Sequence, residues 1–263
     1  TDNAAELGVH GRGYKPVEPK KMIDNTRNIL ERSDLNTVGL TEQIKTSHDG
    51  ARCFVQYNLP AHTYQTGDGD TASLSLLSTS SFDGTWPFMI SVAAVQSACT
   101  NLQVFVSGEV AIYKAKHTQS LDIEHGANII VKSLDVFNRE RELWQQWQGQ
   151  KVCDMEAFLF FADALNVNIN TGGLDVGYSP ADVIHNLKRR NENLNYIWRV
   201  YTAVYKNRLG SNYWAVYNAM TDWSTHFGVV RQSSERNIAS IQNDRQQVIR
   251  QAVSSNSVLR LAA

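Results

Sequence analysis

The sequence predicts an α+β protein in which an antiparallel sheet of β-hairpins packs on a long helix and a helical C-terminal region follows. Between residues 52 and 116, apolar and polar residues alternate in short runs separated by turn signals. From residue 121 onward, apolar residues instead recur at helical spacing. Strands and helices are therefore segregated along the chain, which indicates α+β architecture and not alternating βαβ units.

The predicted organisation has three parts. Residues 1–20 form an N-terminal arm, residues 21–150 form the core of sheet and long helix, and residues 151–263 form a helical region that we expect to pack on the same domain. At 263 residues the chain is long enough for one large domain or two small ones. Its content of 42% hydrophobic and 19% charged residues excludes wholesale disorder.

The charge balance limits how this chain could bind nucleic acid. Lys and Arg number 25 against 26 Asp and Glu, and the net charge is −1. A protein that coats nucleic acid by charge alone usually has a basic excess. This chain would therefore need its basic residues gathered on one face.

Cysteine usage and hydropathy indicate the compartment. The cysteines are odd in number and widely spaced, at Cys53, Cys99 and Cys153, and no Cys/His spacing suits zinc. Scattered thiols are typical of a reducing environment. The sequence has no apolar run of about 18 residues, the length that suggests a membrane span. We therefore expect a cytoplasmic protein with no membrane partner.

In the first half of the chain we expect two helices and five strands. The first helix covers residues 19–32, with Pro19 in its first turn, and a second short helix covers residues 40–45. Asp83 and Gly84 are a strong hairpin signal, and the stretch 64–70 should form the tip of another hairpin. The predicted strands cover residues 52–59, 72–79, 88–95, 104–106 and 110–116.

The second half begins with a long predicted helix, residues 121–148, which Gly149 ends. Its apolar positions at helical spacing are Ile123, Ala127, Ile130, Leu134 and Phe137. We expect Glu140, Arg141 and Glu142 on its exposed side. Further helices are predicted over residues 155–165, 180–208, 212–226 and 235–253.

No catalytic constellation is present in the sequence. There is no nucleophile elbow, no phosphate-cradling loop and no dinucleotide fingerprint. Cys99 has no His close by in sequence, and a buried structural cysteine explains it better than a nucleophile. Asp68 and Asp70 lack the other acceptors of a calcium loop, so we interpret them as turn residues. We expect no enzymatic activity and no cofactor.

A second candidate for metal binding lies at the start of the long helix. His117 and His125 flank Asp122 and Glu124, but their spacing matches no established set of ligands. A turn from sheet to helix with Asp122 as the N-cap explains these residues better. A metal-dependent nuclease using Asp68, Asp70, Glu124 or His125 stays open only as a minor alternative.

The most informative stretch covers residues 186–208. It carries six cations against one acid, Glu192, with aromatic residues interleaved among them. On a helical wheel one face carries Lys188, Glu192, Asn195, Arg199 and Lys206. The other face resembles a core-packing face and carries Leu187, Leu194, Ile197, Tyr201 and Val204. The aromatic residues therefore favour packing over base stacking, whereas the cations suit either a phosphate backbone or an ordinary solvated helix.

Smaller groups of cations lie elsewhere, in the predicted strands and in the first helix. If the strands form one sheet with the long helix behind it, these cations could line a groove. The expected phosphate contacts are Arg52, Lys114, Lys116, His117, Lys188, Arg189, Arg190 and Arg199. Tyr57 and Trp86 are the candidates for stacking on bases.

Three segments resemble one family. Residues 76–84 (LLSTSSFDG), continuing through residues 89–92 to 95–101 (VQSACTN), resemble the phage and plasmid proteins grouped as domain of unknown function 932. Lys116, His117 and Thr118 are similar to the basic junction before that family's long helix. Residues 214–226 (WAVYNAMTDWSTH) are similar to its late aromatic and His motif.

This resemblance implies a phage-type sheet-and-helix core similar to that of phage single-strand annealing proteins. Such proteins form rings or helical filaments and hold single-stranded DNA in a basic groove. The leading hypothesis is therefore a homo-oligomeric single-stranded DNA annealing protein acting in DNA recombination in the host cytoplasm. An exonuclease or a host single-strand-binding protein would be a further partner. The alternative is a phage structural or regulatory protein that binds other proteins.

Overall fold

The computed structural model describes residues 12–13, 15–66, 69–96, 102–103, 112–115, 122–172, 177–228 and 244–256. Six strands in these ranges form one antiparallel sheet. Strands β1 to β4 pair in chain order, and β5 and β6 both pair with the outer side of β4. The strands are β1 (Thr41–Ser47), β2 (Arg52–Gln65), β3 (Thr71–Ser81), β4 (Phe88–Gln96), β5 (Leu102–Gln103) and β6 (Ile112–Ala115).

One helix precedes the sheet and the others follow it, which confirms the α+β class. The helices are α1 (Pro19–Arg32), α2 (Ile123–Gly149), α3 (Asp154–Ala164), α4 (Pro180–Arg190), α5 (Glu192–Val200), α6 (Lys206–Leu209), α7 (Tyr213–His226) and α8 (Asp244–Ser255). A 3-10 turn covers Ile169–Gly172, and a π-helical turn, Tyr201–Tyr205, joins α5 to α6. No helix in the described ranges combines the length and apolarity needed to cross a membrane.

The apolar face of the sheet packs against α1, α2 and α7. Thr26 of α1 lies over β3, where its hydroxyl is 3.0 Å from that of Ser78. Burial on this face raises the pKa of the Cys53 thiol to about 11, because a thiolate is poorly solvated there. The core-facing residues include Cys53, Val55, Tyr57, Leu59, Leu74, Leu76, Phe88, Ile90 and Val92. One continuous apolar cluster includes these residues and those of the C-terminal helices.

The predicted short helix over residues 40–45 is wrong, because this segment is strand β1. Its seven residues pair with β2 in a continuous register from Thr41–Asn58 to Ser47–Arg52. The intervening turn has His48, Asp49 and Gly50 at positive φ, which brings the two strands side by side. Backbone pairing of the whole segment therefore outweighs the helical spacing of a few apolar residues.

Strand β2 is longer than predicted. The prediction ended it at residue 59 because Pro60 cannot donate a backbone hydrogen bond. The strand instead continues to Gln65, and the register shifts between Leu59 and Thr63. An irregularity of this kind accommodates a proline within a strand. The β2–β3 and β3–β4 hairpins were both correctly predicted.

The helix predicted over residues 180–208 is interrupted twice. Asn191 has an extended backbone, with φ −138° and ψ 109°, and its side chain accepts a hydrogen bond from the Leu194 N–H at 3.0 Å. It therefore ends α4 and caps α5. The π-helical turn then widens the spacing of hydrogen bonds, which changes the direction of the following side chains. As a result Val204, predicted in the core, is 44% exposed.

Glu140 was predicted on the exposed side of α2, but it is buried. The cation Arg250 of the C-terminal helix α8 lies near this carboxylate. Arg250 of α8 is largely removed from solvent, which lowers its pKa, and the neighbouring Glu140 carboxylate acts in the opposite direction. A cation from the far end of the chain is thus the neighbour of this carboxylate, and no local pattern in α2 indicates it.

The crossing of α1 and α2 depends on Gly126. A Cβ atom at this position would lie 2.7 Å from Cδ1 of Ile29, which is fully buried. We expect Gly126→Ala to lower the free energy of unfolding by about 1–3 kcal/mol, although alanine favours helix formation. Urea denaturation followed by circular dichroism measures the change.

Gly149→Ala is the matched control, since a Cβ there meets nothing within 4 Å. The double variant Ile29→Val/Gly126→Ala should recover part of the missing stability, because valine lacks the Cδ1 atom. A Gly126→Ala protein as stable as wild type would show that the helices do not depend on this close approach.

Candidate nucleic-acid interface

Arg52, a predicted phosphate contact, is bound within the β3–β4 loop. Its Nε donates to Asp83 Oδ2 at 2.6 Å, and its guanidinium lies 5.3 Å from the centre of the Trp86 ring. Asp83 also accepts from the Thr85 N–H at 2.9 Å. Both charged side chains are mostly buried, with exposed fractions of 17% and 18%. Arg52 therefore stabilises this loop, and any contact with phosphate would compete with Asp83.

Neither predicted stacking residue presents its ring to solvent. Tyr57 is fully buried on the helix-facing side of β2, and burial, reinforced by Glu42, raises the pKa of its hydroxyl. Trp86 is nearly buried on the opposite face, where it packs with Phe54 and Leu77. Stacking on a base would require either ring to leave its packing, so the structure provides no aromatic platform at these two positions.

Lys114 is exposed on β6, on the sheet face opposite the helices. The cross-strand register places Lys45, Phe54, Thr79, Met89 and Lys114 in one row on this face. The two lysines stand at its ends, about 19 Å apart at the usual strand spacing. No described strand residue on this face is Asp or Glu. The described strand residues of this face are therefore cations and uncharged residues only, and the acid that pairs with Arg52, Asp83, belongs to the β3–β4 loop.

Lys45 was missed as a candidate because its segment was predicted as a helix. Once the segment is a strand, the alternation of side chains puts Lys45 on the same face as Arg52. The remaining predicted contacts of this group, Lys116 and His117, lie outside the described residues. The sheet therefore brings Arg52, Trp86, Lys45 and Lys114 to one face.

A second group of cations ends helix α4. Arg189 and Arg190 are exposed and Lys188 is half-buried in its last turn. Cations in the last turn of a helix also stabilise its dipole, which is a structural reason for their presence. Arg199 is exposed on α5, and its guanidinium lies 5.5 Å from the ring centre of Tyr196. Because Asn191 separates α4 from α5, the single helical face predicted for Lys188 and Arg199 does not extend across the break.

Helix α5 is held on α7 by polar contacts beneath these cations. Asp222 of α7 accepts from the hydroxyl of Tyr196 at 2.6 Å and from that of Tyr205 at 2.7 Å. Burial, reinforced by hydrogen bonding to the carboxylate, raises the pKa of Tyr196. Trp223 adds a hydrogen bond from its Nε1 to Asn193 at 2.9 Å. The aromatic residues of this stretch therefore fix the helix, as the packing interpretation predicts.

Several other cations are neutralised by carboxylates. The Nζ atom of Lys206 lies 2.5 Å from Oδ1 of Asp154, and Nη2 of Arg208 lies 3.3 Å from Oδ2 of Asp70. Cations of the first helix also have acidic partners, since Arg27 pairs with Glu42 and Lys20 with Asp24. Only part of the basic segment is therefore available for an anionic ligand.

The residues of the metal alternative have structural roles as well. Asp122 accepts from the His125 N–H at 2.9 Å and caps α2, which confirms the N-cap prediction. Glu124 pairs with Arg32, and Asp70 accepts from the Thr71 N–H. Within the described ranges, no group of three or more His, Cys, Asp or Glu could hold a metal ion. Asp68 and Cys99 lie outside those ranges.

The Arg52–Asp83 pair generates a pH-dependent prediction. Burial raises the pKa of Asp83, but hydrogen bonds from Thr85 and Arg52 outweigh it, and the net pKa is well below its usual value. A carboxylate with a lowered pKa stabilises the fold above about pH 4 and loses that contribution as the pH falls below it. Asp83→Asn should therefore lower the free energy of unfolding by about 1–3 kcal/mol at neutral pH. The decrease should be smaller at acidic pH, where Asp83 of the wild type has begun to lose its charge.

Urea titrations near pH 7 and near pH 3 measure both effects. Asp135→Asn, at an exposed position on α2, is the control and should change stability by less than about 0.5 kcal/mol. An Asp83→Asn deficit that is equal at both pH values would contradict the pairing.

Comparison with known proteins gives one match. The chain matches the family described as Domain of unknown function (DUF932) over residues 6–244. Comparisons with curated proteins and with solved structures found no match. The matched residues include all three segments on which the resemblance was based. Because the match extends over most of the 263 residues, this chain belongs to the DUF932 family.

Proposed function

We propose that this protein binds single-stranded DNA through its phosphates and acts as an annealing protein in DNA recombination. The observation that carries the proposal is that Lys114, Arg189, Arg190 and Arg199 are exposed although the chain as a whole has a net charge of −1. Lys188, Arg189 and Arg199 form no ion pair within the described ranges. Cations held at the surface without acidic partners are suited to neutralise a phosphate backbone.

Annealing suits this arrangement better than base recognition does. A protein that anneals two strands must neutralise their phosphates and leave the bases free to pair. Tyr57 and Trp86 are buried, so the contacts that the structure supports are electrostatic. Binding of this kind depends strongly on salt and little on sequence. Self-assembly into a ring or filament, in the host cytoplasm of a phage, belongs to the same proposal.

The double variant Arg189→Gln/Arg199→Gln tests the proposal. We expect it to bind a fluorescent single-stranded oligonucleotide several-fold more weakly than wild type in anisotropy titrations over a range of salt concentrations. The slope of log affinity against log salt should decrease by about 0.7 for each phosphate that the variant no longer neutralises.

Lys132→Gln/Arg139→Gln is the matched control. It removes the same charge from two exposed positions on α2, for which no described ion pair exists. Its affinity and salt slope should stay near the wild-type values if the binding surface is localised. Absence of wild-type binding at low salt, or an equal decrease in affinity in both double variants, would refute the proposal.

Burial of the two stacking candidates also favours a second function, the binding of a protein with an acidic surface. Val204, 44% exposed next to α6, and Tyr178, 53% exposed before α4, place exposed apolar area in the same part of the chain as the cations. Interfaces between proteins combine such apolar area with arginine. Complete insensitivity to DNA, together with retained solubility and fold, would favour this alternative.

A further inference from the structure

Strand β1 forms one edge of the sheet. It pairs with β2 along its whole length, and no strand in the described ranges lies on its other side. An edge strand of this kind has outward-pointing backbone N–H and C=O groups that can pair with another strand. Proteins commonly block such edges with proline, bulges or several charged side chains.

The sequence of β1 contains only part of this protection, the charged side chains of Glu42 and Lys45. Its seven residues, TEQIKTS, have no proline, and their register with β2 is continuous. Ile44, at the centre of the strand, is 51% exposed, although its partner across the ladder, Val55, is fully buried. Ile44 therefore belongs to the apolar face of the sheet but lacks a neighbouring strand on the outer side.

The spacing of residues in β1 selects one symmetric pairing. Two copies of β1 can pair antiparallel about a two-fold axis perpendicular to the sheet. Residues that face each other across this axis must then have their side chains on the same face of the sheet, so the axis passes through a residue. Registers centred on Glu42 or Lys45 bring like charges directly opposite each other, which is unfavourable. A register centred on Gln43 leaves the two C-terminal residues of each strand without a strand partner.

The register centred on Ile44 satisfies all these conditions. It pairs each of the seven residues with a residue of the second copy, and it places Ile44 against Ile44 at the two-fold axis. Lys45 then faces Gln43, and Glu42 faces Thr46, so like charges do not meet. Glu42 also keeps Arg27, 2.8 Å away, as its neutralising partner.

We propose that β1 is the contact surface for a second copy of this chain, through antiparallel pairing centred on Ile44. This inference rests on the self-assembly included in the proposed function and specifies its interface. The two sheets would become one continuous sheet with both sets of helices on the same side. The cation-bearing faces of Lys45 and Lys114 would then adjoin across the two-fold axis.

This contact is isologous, so it closes on itself and forms a dimer. A ring or a filament would consist of such dimers joined through another surface. An edge strand buries less area than the roughly 1,200–2,000 Å² of a stable interface. We therefore expect a dimer that dissociates on dilution.

Sedimentation velocity over a range of protein concentrations, without DNA, tests the inference. Wild type should show a monomer–dimer equilibrium. Ile44→Lys places two ammonium groups opposite each other and should raise the dissociation constant by at least about tenfold. Val38→Lys is the control, because Val38 is 77% exposed but precedes the strand, and its equilibrium should match wild type.

Cross-linking tests the register directly. Under mild oxidation, the Ile44→Cys variant should form a disulfide between the introduced thiols of two copies, which mass spectrometry identifies, whereas Val38→Cys should not. Circular dichroism establishes whether each variant is folded. We expect Ile44→Lys to be folded, because the side chain of Ile44 is half-exposed in the monomer.

A wild-type protein that stays monomeric at every concentration would overturn the inference, as would an Ile44→Lys variant that dimerises like wild type. These measurements are independent of DNA. Failure of β1 pairing therefore leaves the oligonucleotide titrations of the arginine variants unaffected, and failure of those titrations leaves the dimer unaffected.

Discussion

The packing of Trp144 connects the sheet, the long helix α2 and the C-terminal helix α7. Its ring, fully buried, lies 5.8 Å from Tyr64 of β2, 6.1 Å from Phe137 of its own helix and 5.4 Å from Trp214 of α7. Aromatic pairs at such distances contribute about 0.5–1.5 kcal/mol each beyond the burial of their area. One side chain of α2 therefore contacts both the sheet and α7, in addition to the direct contact of α7 with the sheet. Since α7 supports α5, the position of the surface cations depends on the same packing.

The two groups of cations have different structural settings. On the sheet, Lys45 and Lys114 stand on a rigid backbone, and their separation follows from the strand spacing. On α4 and α5, the cations lie at the end of one helix and along the next, and Asp222 holds α5 in place through two tyrosines. A ligand that contacts either group would have to be negatively charged.

Local patterns predicted the elements whose stability is mainly local. The bounds of α1, the Asp122 cap and the Asp83–Gly84 hairpin all follow from residues within one turn of the feature. Where the prediction failed, distant residues decided the outcome. Strand β1 depends on pairing with β2, and Glu140 is buried although its position on α2 predicts exposure. The Asp49–Gly50 pair was a usable signal for the first hairpin, of the same kind as the one that located the β3–β4 hairpin.

The candidate site also combines features that local sequence patterns predict with features that depend on residues far apart in the chain. Composition identified the basic segment, and helical spacing identified its core-facing side. Tyr57 and Trp86 were predicted to stack on bases, but the sequence did not indicate that both rings would be buried, one on each face of the sheet. Nor did it indicate that Asp83, Asp154 and Asp70 would each neutralise a nearby cation. Ion pairs between residues far apart in the chain require the fold to be known.

The π-helical turn Tyr201–Tyr205 has a consequence for the whole basic segment. Each residue of an α-helix rotates the chain by about 100°, so one additional residue in a turn redirects every side chain that follows. Lys206 and Arg208 consequently point toward Asp154 and Asp70 and do not continue the surface that carries Arg199. The length of this single turn thus separates Lys206 and Arg208, which pair with carboxylates of other elements, from Arg199, which remains exposed.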